Sequence, residues 1–285
     1  MQSPMVSVLM TAYNREKYIA EAITSVLSST YTNFELIIVD DCSSDKTVTI
    51  AREFEAKDCR VKLYVNDKNL GDYPNRNKAA GYATGVYLVS VDSDDMIFKD
   101  GIETCISYML QFPQARFATY YCLPAREAFV MDSVTAIQNH FFKQQFLIVG
   151  PGGLIVERTY FIEIGGFPEK YGPANDMYYN LKAVCSSPVL LIPFEFFYYR
   201  RHPEQEIHNL DSYLYNSYRL NRDAFNELNL PLQPEQIRWL QKKNKRRFVV
   251  NIFKYLRRTK DFKKTILAIR YAKFSLKDAL VGTFH

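Results

Sequence analysis

Three aspartates lie within four positions of one another at the end of an apolar run. In the stretch VYLVSVDSDDMIF, residues 86–98, these are Asp92, Asp94 and Asp95. Crowded carboxylates repel one another, and a divalent cation bound through their oxygens would remove that repulsion. In extended backbone Asp92 and Asp94 share a face, with Cα atoms about 6.6 Å apart, so both could approach one ion. Asp95 would point the other way and could cap the next helix. A plain polar turn is the competing interpretation.

Polar residues also end two other predicted strands. Thr11, Tyr13 and Asn14 follow the first apolar run, and Asp40 and Asp41 end the run FELIIVDD. In open α/β sheets, ligands bind beyond the carboxyl ends of the strands. Acidic groups gathered on one such rim are difficult to explain by packing, so the pattern favours a cation site over a simple turn.

The elements that would position these residues alternate along the first hundred residues. Buried strands are predicted at 5–13, 34–41, 60–65 and 86–92, and helices at 15–29, 44–57 and 74–83. Ser44 or Asp45 is the expected N-cap of the second helix, and Pro74 the expected start of the third. This order predicts an α/β fold with a mainly parallel sheet and helices on both faces. Shorter strands and helices after residue 116 would complete the same domain. Only helices are predicted beyond about residue 208.

The composition is that of a globular α/β protein. The chain has 285 residues, 47% of them hydrophobic and 24% charged, and no apolar run approaches the roughly 20 residues of a membrane span. The N-terminal segment lacks the basic region that precedes the apolar run of a signal peptide. The five cysteines are scattered and form no CxxC pair, which favours free thiols in a reducing compartment and argues against a zinc site. We therefore expect a cytoplasmic protein.

The C-terminal segment differs sharply from the rest in charge. Residues 1–237 carry 21 Lys and Arg against 29 Asp and Glu, a net charge of −8. Residues 238–285 carry 15 Lys and Arg against 2 Asp, a net charge of +13. Two apolar stripes at helical spacing run through this basic segment: Phe248, Val249, Ile252, Phe253 and Leu256, then Ile266, Leu267, Ile269 and Phe274. Such helices suit peripheral contact with an anionic membrane, or they pack on the acidic body. No motif supports nucleic-acid binding.

The strand ends lack the glycine-rich loops that usually hold phosphates. The chain has no G-x-x-x-x-G-K-[ST] loop, and TAYNREKY stands where a dinucleotide-binding protein would carry G-x-G-x-x-G. Mg²⁺ or Mn²⁺ held by carboxylates is the other common means of holding a diphosphate. The sequence therefore predicts a metal-held nucleotide, if a nucleotide binds at all.

Two long stretches resemble family 2 glycosyltransferases of the GT-A fold. They are VSVLMTAYNREKYIAEAITSVLSSTYTNFELIIVDDCSSDKT and NLGDYPNRNKAAGYATGVYLVSVDSDD, supported by the shorter GGF, ND and YYRRH farther on. The resemblance covers roughly residues 5–203. It implies transfer of a sugar, with inversion, from a nucleotide-diphospho-sugar (by family habit a UDP-sugar) to a hydroxyl of a saccharide or lipid-linked acceptor. This places the chain in bacterial polysaccharide or glycoconjugate synthesis, at the inner face of the membrane if the basic segment docks there.

The same resemblance implies an organisation of the chain into two parts. Residues 1–207 would form the glycosyltransferase domain, with a nucleotide-binding half at about 1–100 and an acceptor half at about 101–207. Residues 208–285 would form a basic helical extension that lies beyond the resemblance.

The resemblance assigns roles to residues on the predicted rim. Thr11 and Tyr13 match positions that line the nucleotide pocket, Asp41 the acid that contacts the base, and Arg76 the arginine that reaches the nucleotide. Asp92 and Asp94 match the D-x-D motif that holds the cation, where Asp92 could instead contact the ribose and Asp95 remains a further metal ligand. The alternative for Thr11 is an N-cap and for Tyr13 a core aromatic side chain. The alternative for Asp41 is a turn residue and for Arg76 a surface charge.

The catalytic base is expected in the stretch GPANDMYYNL. Inverting transfer needs one carboxylate that takes the proton of the acceptor hydroxyl. The family supplies it as the second residue of a Glu-Asp pair, which is Asn175-Asp176 here, so the acid is present and its neighbour is replaced. The alternative for Asp176 is a helix N-cap.

The YYRRH stretch supplies a further group of cations. The resemblance implies that Arg200 and Arg201 form a lid on the diphosphate and that His202 is a further metal ligand, which would favour Mn²⁺ over Mg²⁺.

Two other functions compete with the transferase. One is a degenerate glycosyltransferase that binds nucleotide sugars as a scaffold. The other is a haloacid-dehalogenase-like phosphatase, which needs Thr or Val where this chain has Met96.

Overall fold

A computed structural model describes residues 3–121, 126–202, 205 and 210–284 of the chain. Its strands are β1 Val6–Ala12, β2 Phe34–Asp40, β3 Val61–Val65, β4 Tyr87–Ser90, β5 Met96–Ile97, β6 Phe117–Tyr120, β7 Phe129–Met131, β8 Leu154–Glu157, β9 Val189–Ile192 and β10 Phe197–Tyr198. Its helices are α1 Ile19–Leu27, α2 Thr47–Glu55, α3 Asp72–Tyr82, α4 Gly101–Gln111, α5 Ser133–Phe142, α6 Arg158–Glu163, α7 Asn175–Ser186, α8 Leu210–Glu227, α9 Pro234–Thr259, α10 Phe262–Tyr271 and α11 Leu276–Phe284.

Eight strands form one sheet in the order β3-β2-β1-β4-β8-β6-β9-β7. The pairs within β3-β2-β1-β4 are parallel, whereas β8 is antiparallel to both β4 and β6. The first half follows from the alternation of strands and helices, because each parallel step needs a crossover helix. The predicted fold class, a mainly parallel sheet with helices on both faces, is confirmed.

Successive residues of the central strands enter two separate cores, one on each side of the sheet. Leu36 and Ile38 of β2 pack with the apolar stripes of α1 and α4, and Ile37 and Val39 pack on the opposite side with α3, α5 and α7. This is the alternation expected of a strand that is buried on both faces. The sheet is therefore held rigidly, and its carboxyl edge is a fixed platform for the loops that follow.

The C-terminal helices pack on one another and on the body. Leu220, Ala224 and Phe225 of α8 and Leu240 of α9 belong to the same core as α5 and α7. Farther along, Phe248 of α9 packs with Tyr218 and Ala272 in a small third cluster. The helices predicted after residue 208 are thus present, and no helix in the described part of the chain is long and apolar enough to cross a membrane.

Two predicted helix starts differ from the structure. The second helix begins at Thr47 with Lys46 as its N-cap residue, so the prediction of Ser44 or Asp45 as N-cap is wrong. Asp45 still serves the helix start, because its carboxylate accepts the Thr47 N–H at 2.9 Å. The third helix begins at Asp72, two residues before Pro74, after Gly71 in a positive-φ conformation (φ 90°).

Candidate active site

A cleft of about 1220 Å³ opens at the carboxyl edge of the parallel strands. The predicted residues that line it are Thr11, Tyr13, Asp41, Arg76, Asp92, Asp94, Asp95 and Asp176. Part of its lining follows β1 and β2, and another part comes from residues within 148–151 and 169–176. The structure thus brings residues that are 165 positions apart in the chain to one site, as the topology predicts.

Oxygen atoms of Asp92, Asp94 and Asp95 lie within 4.8 Å of one another. Asp95 is 4% exposed, and burial, followed by the negative charge of Asp92, raises the pKa of its carboxyl to about 8. The expectation that Asp95 points away and caps the next helix is wrong. Its Oδ1 accepts the Arg200 N–H at 2.9 Å, and α4 begins only at Gly101. Three crowded carboxylates, one of them buried, form a donor set that fits a divalent cation of the Mg²⁺ or Mn²⁺ type.

Two arginines and a histidine contact this cluster. The Arg76 guanidinium contacts Asp92 at 2.6 Å, the Arg15 Nε donates to Asp94 Oδ2 at 3.1 Å, and His202 Nε2 lies 3.0 Å from the same oxygen. Attraction to the two arginine charges offsets the repulsion among the carboxylates. Sequence reasoning missed Arg15, although it lies one residue beyond the polar run after β1, where a basic side chain faces an acidic rim.

The YYRRH stretch reaches the cluster through a short second sheet. β10 pairs with β5, which follows the aspartates directly, with Tyr198 opposite Met96. This pairing allows Arg200 to donate from Nε to the carbonyl of Asp94 at 2.9 Å, while its guanidinium also binds Glu21. Arg201 is exposed. His202 is 8% exposed and stacks at 4.7 Å on Tyr18.

Asp41 is 3% exposed and organises the part of the cleft before α3. Its Oδ1 accepts hydrogen bonds from Asn66 Nδ2 and from the Leu70 N–H, each at 2.8 Å, and its Oδ2 accepts the Gly71 N–H at 2.8 Å. Asp41 therefore fixes the loop before α3, which carries Arg76. Tyr13, 47% exposed, offers an uncovered ring on the other side of this pocket.

Asp176 also lines the cleft, in the first turn of α7. Burial raises the pKa of its carboxyl to about 7, against the opposing effect of the Arg76 charge. The N-cap alternative is wrong, because Ala174 is the N-cap residue and Asp176 is the second residue of the helix. Asn175, 2% exposed, instead closes the preceding turn by accepting the Tyr171 N–H and donating to the Gly172 carbonyl.

The fold is shared with solved GT-A glycosyltransferases. Staphylococcus aureus TarS residues 1–349 in complex with UDP superimposes with a TM-score of 0.73 at 20% identity, over 98% of this chain and 81% of that one. The mannosyltransferase PcManGT of Pyrobaculum calidifontis, solved with GDP-Man and Mn²⁺, gives a TM-score of 0.60 at 16% identity, over 99% of this chain and 84% of that one. At these identities the likeness establishes the fold.

The family follows from the sequence. The family described as glycosyl transferase family 2 matches residues 7–151, and the chain belongs to it. Among its relatives, the putative teichuronic acid biosynthesis glycosyltransferase TuaG of Bacillus subtilis is 37% identical over 129 residues, 45% of this chain and 51% of TuaG. The Escherichia coli enzyme WfgD, a UDP-Glc:alpha-D-GlcNAc-diphosphoundecaprenol beta-1,3-glucosyltransferase, is 41% identical over 111 residues, 39% of this chain and 43% of WfgD. The chain spans about half or less of the length of these relatives.

Proposed function

We propose that this protein transfers a sugar from a UDP-sugar to a hydroxyl of a saccharide or lipid-linked acceptor, with inversion, in bacterial polysaccharide or glycoconjugate synthesis. The observation that carries the proposal is one cleft that is lined both by the aspartate cluster and by Asp176. The names of relatives support it, since TuaG is assigned to teichuronic acid synthesis and WfgD acts on a diphosphoundecaprenol-linked sugar.

The donor occupies the β1–β2 side of the cleft in this proposal. Tyr13 and Thr11 flank the base, the Asp41-organised loop closes its edge, and Arg76 directs a positive charge toward the ribose and diphosphate. Asp92, Asp94 and Asp95 would hold Mn²⁺ or Mg²⁺, with His202 as a further ligand and Arg200 and Arg201 as a lid. When bound, the cation neutralises the charge that develops on the departing diphosphate.

Asp176 serves as the general base. The acceptor oxygen forms a bond to the anomeric carbon, the bond from that carbon to the diphosphate oxygen breaks, and the hydroxyl proton passes to the Asp176 carboxylate. Attack from the face opposite the diphosphate inverts the configuration. A pKa of about 7 suits this role, because about half of the groups are ionised at pH 7 and the carboxylate is basic enough to accept a proton.

The alternative is a nucleotide-sugar-binding scaffold that has lost turnover. The observation in its favour is Asn175, which replaces the family's glutamate and is committed to a structural turn. This alternative predicts that the protein binds UDP but catalyses neither glycosyl transfer nor slow hydrolysis of a UDP-sugar. Membership of glycosyl transferase family 2 argues against the phosphatase alternative.

Calorimetric titration of UDP with and without Mn²⁺ tests the proposal. We expect binding to the wild type to strengthen at least about tenfold with Mn²⁺, and Asp94→Ala to lose that gain, because a carboxylate ligand is removed. Asp100→Ala is the matched control, since Asp100 is an exposed aspartate outside the cleft. Equal binding with and without Mn²⁺ would show that the aspartates are turn residues, and it would end the metal-assisted mechanism.

A further inference from the structure

One face of α9 is exposed along the whole 26-residue helix. Its buried side consists of Leu240, Asn244, Phe248 and Tyr255. These residues follow one another at steps of four, four and seven, so they share one side of the helix. The opposite side, here called the α9 face, consists of Trp239, Lys242, Lys243, Arg246, Arg247, Val250, Phe253, Lys254, Arg257 and Arg258, all exposed. At 1.5 Å per residue this face runs for about 30 Å.

The α9 face is strongly basic. The chain has no acidic residue between positions 236 and 260. The cations near its borders are engaged, because Arg238 pairs with Glu235 and Lys245 pairs with Asp278. Within the described ranges, no carboxylate forms an ion pair with any of the seven cations on the α9 face. The basic segment therefore does not neutralise the acidic body from this side.

The apolar members of the α9 face are also exposed, although they are large. Phe253 is 68% exposed and Trp239, the chain's single tryptophan, is 49% exposed. The Trp239 ring stacks on Phe142 of α5 at 5.5 Å, and the Lys243 ammonium lies 4.6 Å from the centre of the Trp239 ring. Aromatic rings beside lysines are typical of surfaces that lie at the level of lipid headgroups.

We propose that the α9 face docks on an anionic lipid bilayer, with Trp239 and Phe253 inserted among the headgroups and the seven cations against the lipid charges. A single-sign charge favours an anionic partner, and the interspersed aromatic and aliphatic side chains favour lipid over a purely ionic polymer. The sequence predicts membrane contact somewhere within residues 238–285, and this proposal assigns that contact to one face of α9.

The position of Phe142 links this surface to the cleft. Phe142 ends α5, and the chain then runs through residues 143–147 to Ile148 and Gly150, which line the cleft on the Asp176 side. A bilayer on the α9 face would therefore contact the end of α5, six residues before the cleft lining next to Asp176. This second step, that the acceptor is lipid-linked, rests on the proposed function, whereas the docking itself does not.

Vesicle flotation of the full chain tests the docking. The probe is vesicles of phosphatidylcholine with 30% phosphatidylglycerol at 150 mM salt. We expect binding to fall at least about 100-fold when Lys242, Lys243, Arg246 and Arg247 are all replaced by Gln, since each cation near the surface contributes. The matched control replaces four exposed cations elsewhere, Arg52, Lys57, Lys99 and Arg126, by Gln. It carries the same net charge and should bind like the wild type.

Trp239 fluorescence reports insertion directly. We expect a blue shift of its emission on vesicle binding and quenching by brominated lipids, both absent with neutral vesicles. Equal loss of flotation in both quadruple variants, or vesicle binding with unchanged Trp239 emission, would overturn the proposal. So would preferential binding of duplex DNA at the same salt. UDP titration of each variant separates this test from the proposed function, because UDP binding should not change in any of them.

Discussion

At the scale of single residues, the buried carboxyl of Asp176 has a cost in stability as pH rises. Burial raises the pKa of Asp176 to about 7, from an ordinary value of 3.8. The folded state thus binds a proton between these values that the unfolded state has released, so rising pH destabilises the fold across this window. The proposed role of Asp176 as general base requires this ionised form.

Replacing Asp176 by Asn should therefore separate activity from stability. We expect Asp176→Asn to lower kcat by about 10²- to 10⁴-fold, because the general base is lost. At pH 8.5 the same variant should be more stable than the wild type by about 1–3 kcal/mol, since a partly buried charge is removed. Thermal unfolding at pH 8.5 and transfer assays measure the two effects.

The wild-type pH profile provides the control for this assignment. The kcat/KM of the wild type should fall tenfold per pH unit below about pH 7, as Asp176 becomes protonated. A profile that is flat down to pH 5, or an Asp176→Asn variant with near-normal turnover, would show that another group accepts the proton.

At the scale of elements, one buried carboxylate links neighbouring strands of the parallel sheet. Glu35 of β2 accepts hydrogen bonds from Ser7 Oγ of β1 at 2.7 Å, from Lys62 Nζ of β3 at 2.6 Å, and from the Thr84 N–H and Oγ1 before β4 at 2.8 Å. Burial alone would raise the pKa of Glu35, but the hydrogen bonds from Lys62, Ser7 and Thr84 outweigh it and lower the pKa to about 2.

Glu35→Gln should weaken the sheet in a pH-dependent way. A lowered pKa stabilises the fold above the ordinary value of 4.5, and this contribution is lost as pH falls toward 2. We expect a loss of about 1–3 kcal/mol at pH 7 that shrinks by pH 3, measured by urea unfolding. Glu53→Gln, an exposed glutamate on α2, is the control and should change little. An equal loss at both pH values would mean that packing, rather than charge, carries the effect.

The parallel half of the fold could be predicted because its signals are local. Each strand from β1 to β4 is a short apolar run, and each helix between them has its own periodicity, so order alone fixes the topology. The antiparallel half gives no such signal. β8 joins β4 to β6 although it lies far from both in sequence, and only its packing in the folded sheet selects that place.

The same distinction, between signals that are local in sequence and contacts that are distant in sequence, separates the predicted parts of the site from the missed ones. Asp92 and Asp94 are recognised by their D-x-D spacing, but the extended backbone expected for them is wrong. β4 ends at Ser90, and the Asp95 N–H donates to the Asp92 carbonyl at 2.9 Å, which closes a turn. Asp95 was placed wrongly because β10 folds back against β5 and supplies the Arg200 N–H, a contact across 105 residues. Arg15 was missed for the same reason, because its partner Asp94 is 79 residues away.

At the scale of the whole molecule, α8 is part of the body that carries the cleft. Tyr171, fully buried, donates to Asp223 at 3.0 Å, and Tyr178 donates to Glu227 at 3.0 Å. Phe225 packs at 5.3 Å against Phe141 of α5. These contacts hold the segment from Tyr171 to Tyr178 in place, and that segment includes Asp176.

Two truncations should therefore behave differently. A chain that ends at residue 207 loses the burial of five core side chains, Leu220, Ala224, Phe225, Leu230 and Leu240, and the larger ones are each worth about 1.5–3 kcal/mol. That sum is comparable with the whole stability of a domain, about 5–15 kcal/mol. We expect this chain to be unfolded or aggregated, with no UDP binding.

A chain that ends at residue 241 keeps α8 and the first turns of α9, including Leu240. It loses Phe248 and Ala272 of the small third cluster and the polar contacts that Asn244, Tyr255 and Lys264 make with α8. It should therefore fold cooperatively with a lower melting temperature and retain metal-dependent UDP binding. It should also lose vesicle binding, because most of the α9 face is gone. Circular dichroism melts, UDP titration and flotation distinguish these outcomes. A stable, UDP-binding chain ending at residue 207 would show instead that α8 is an accessory and that residues 1–207 position Asp176 unaided.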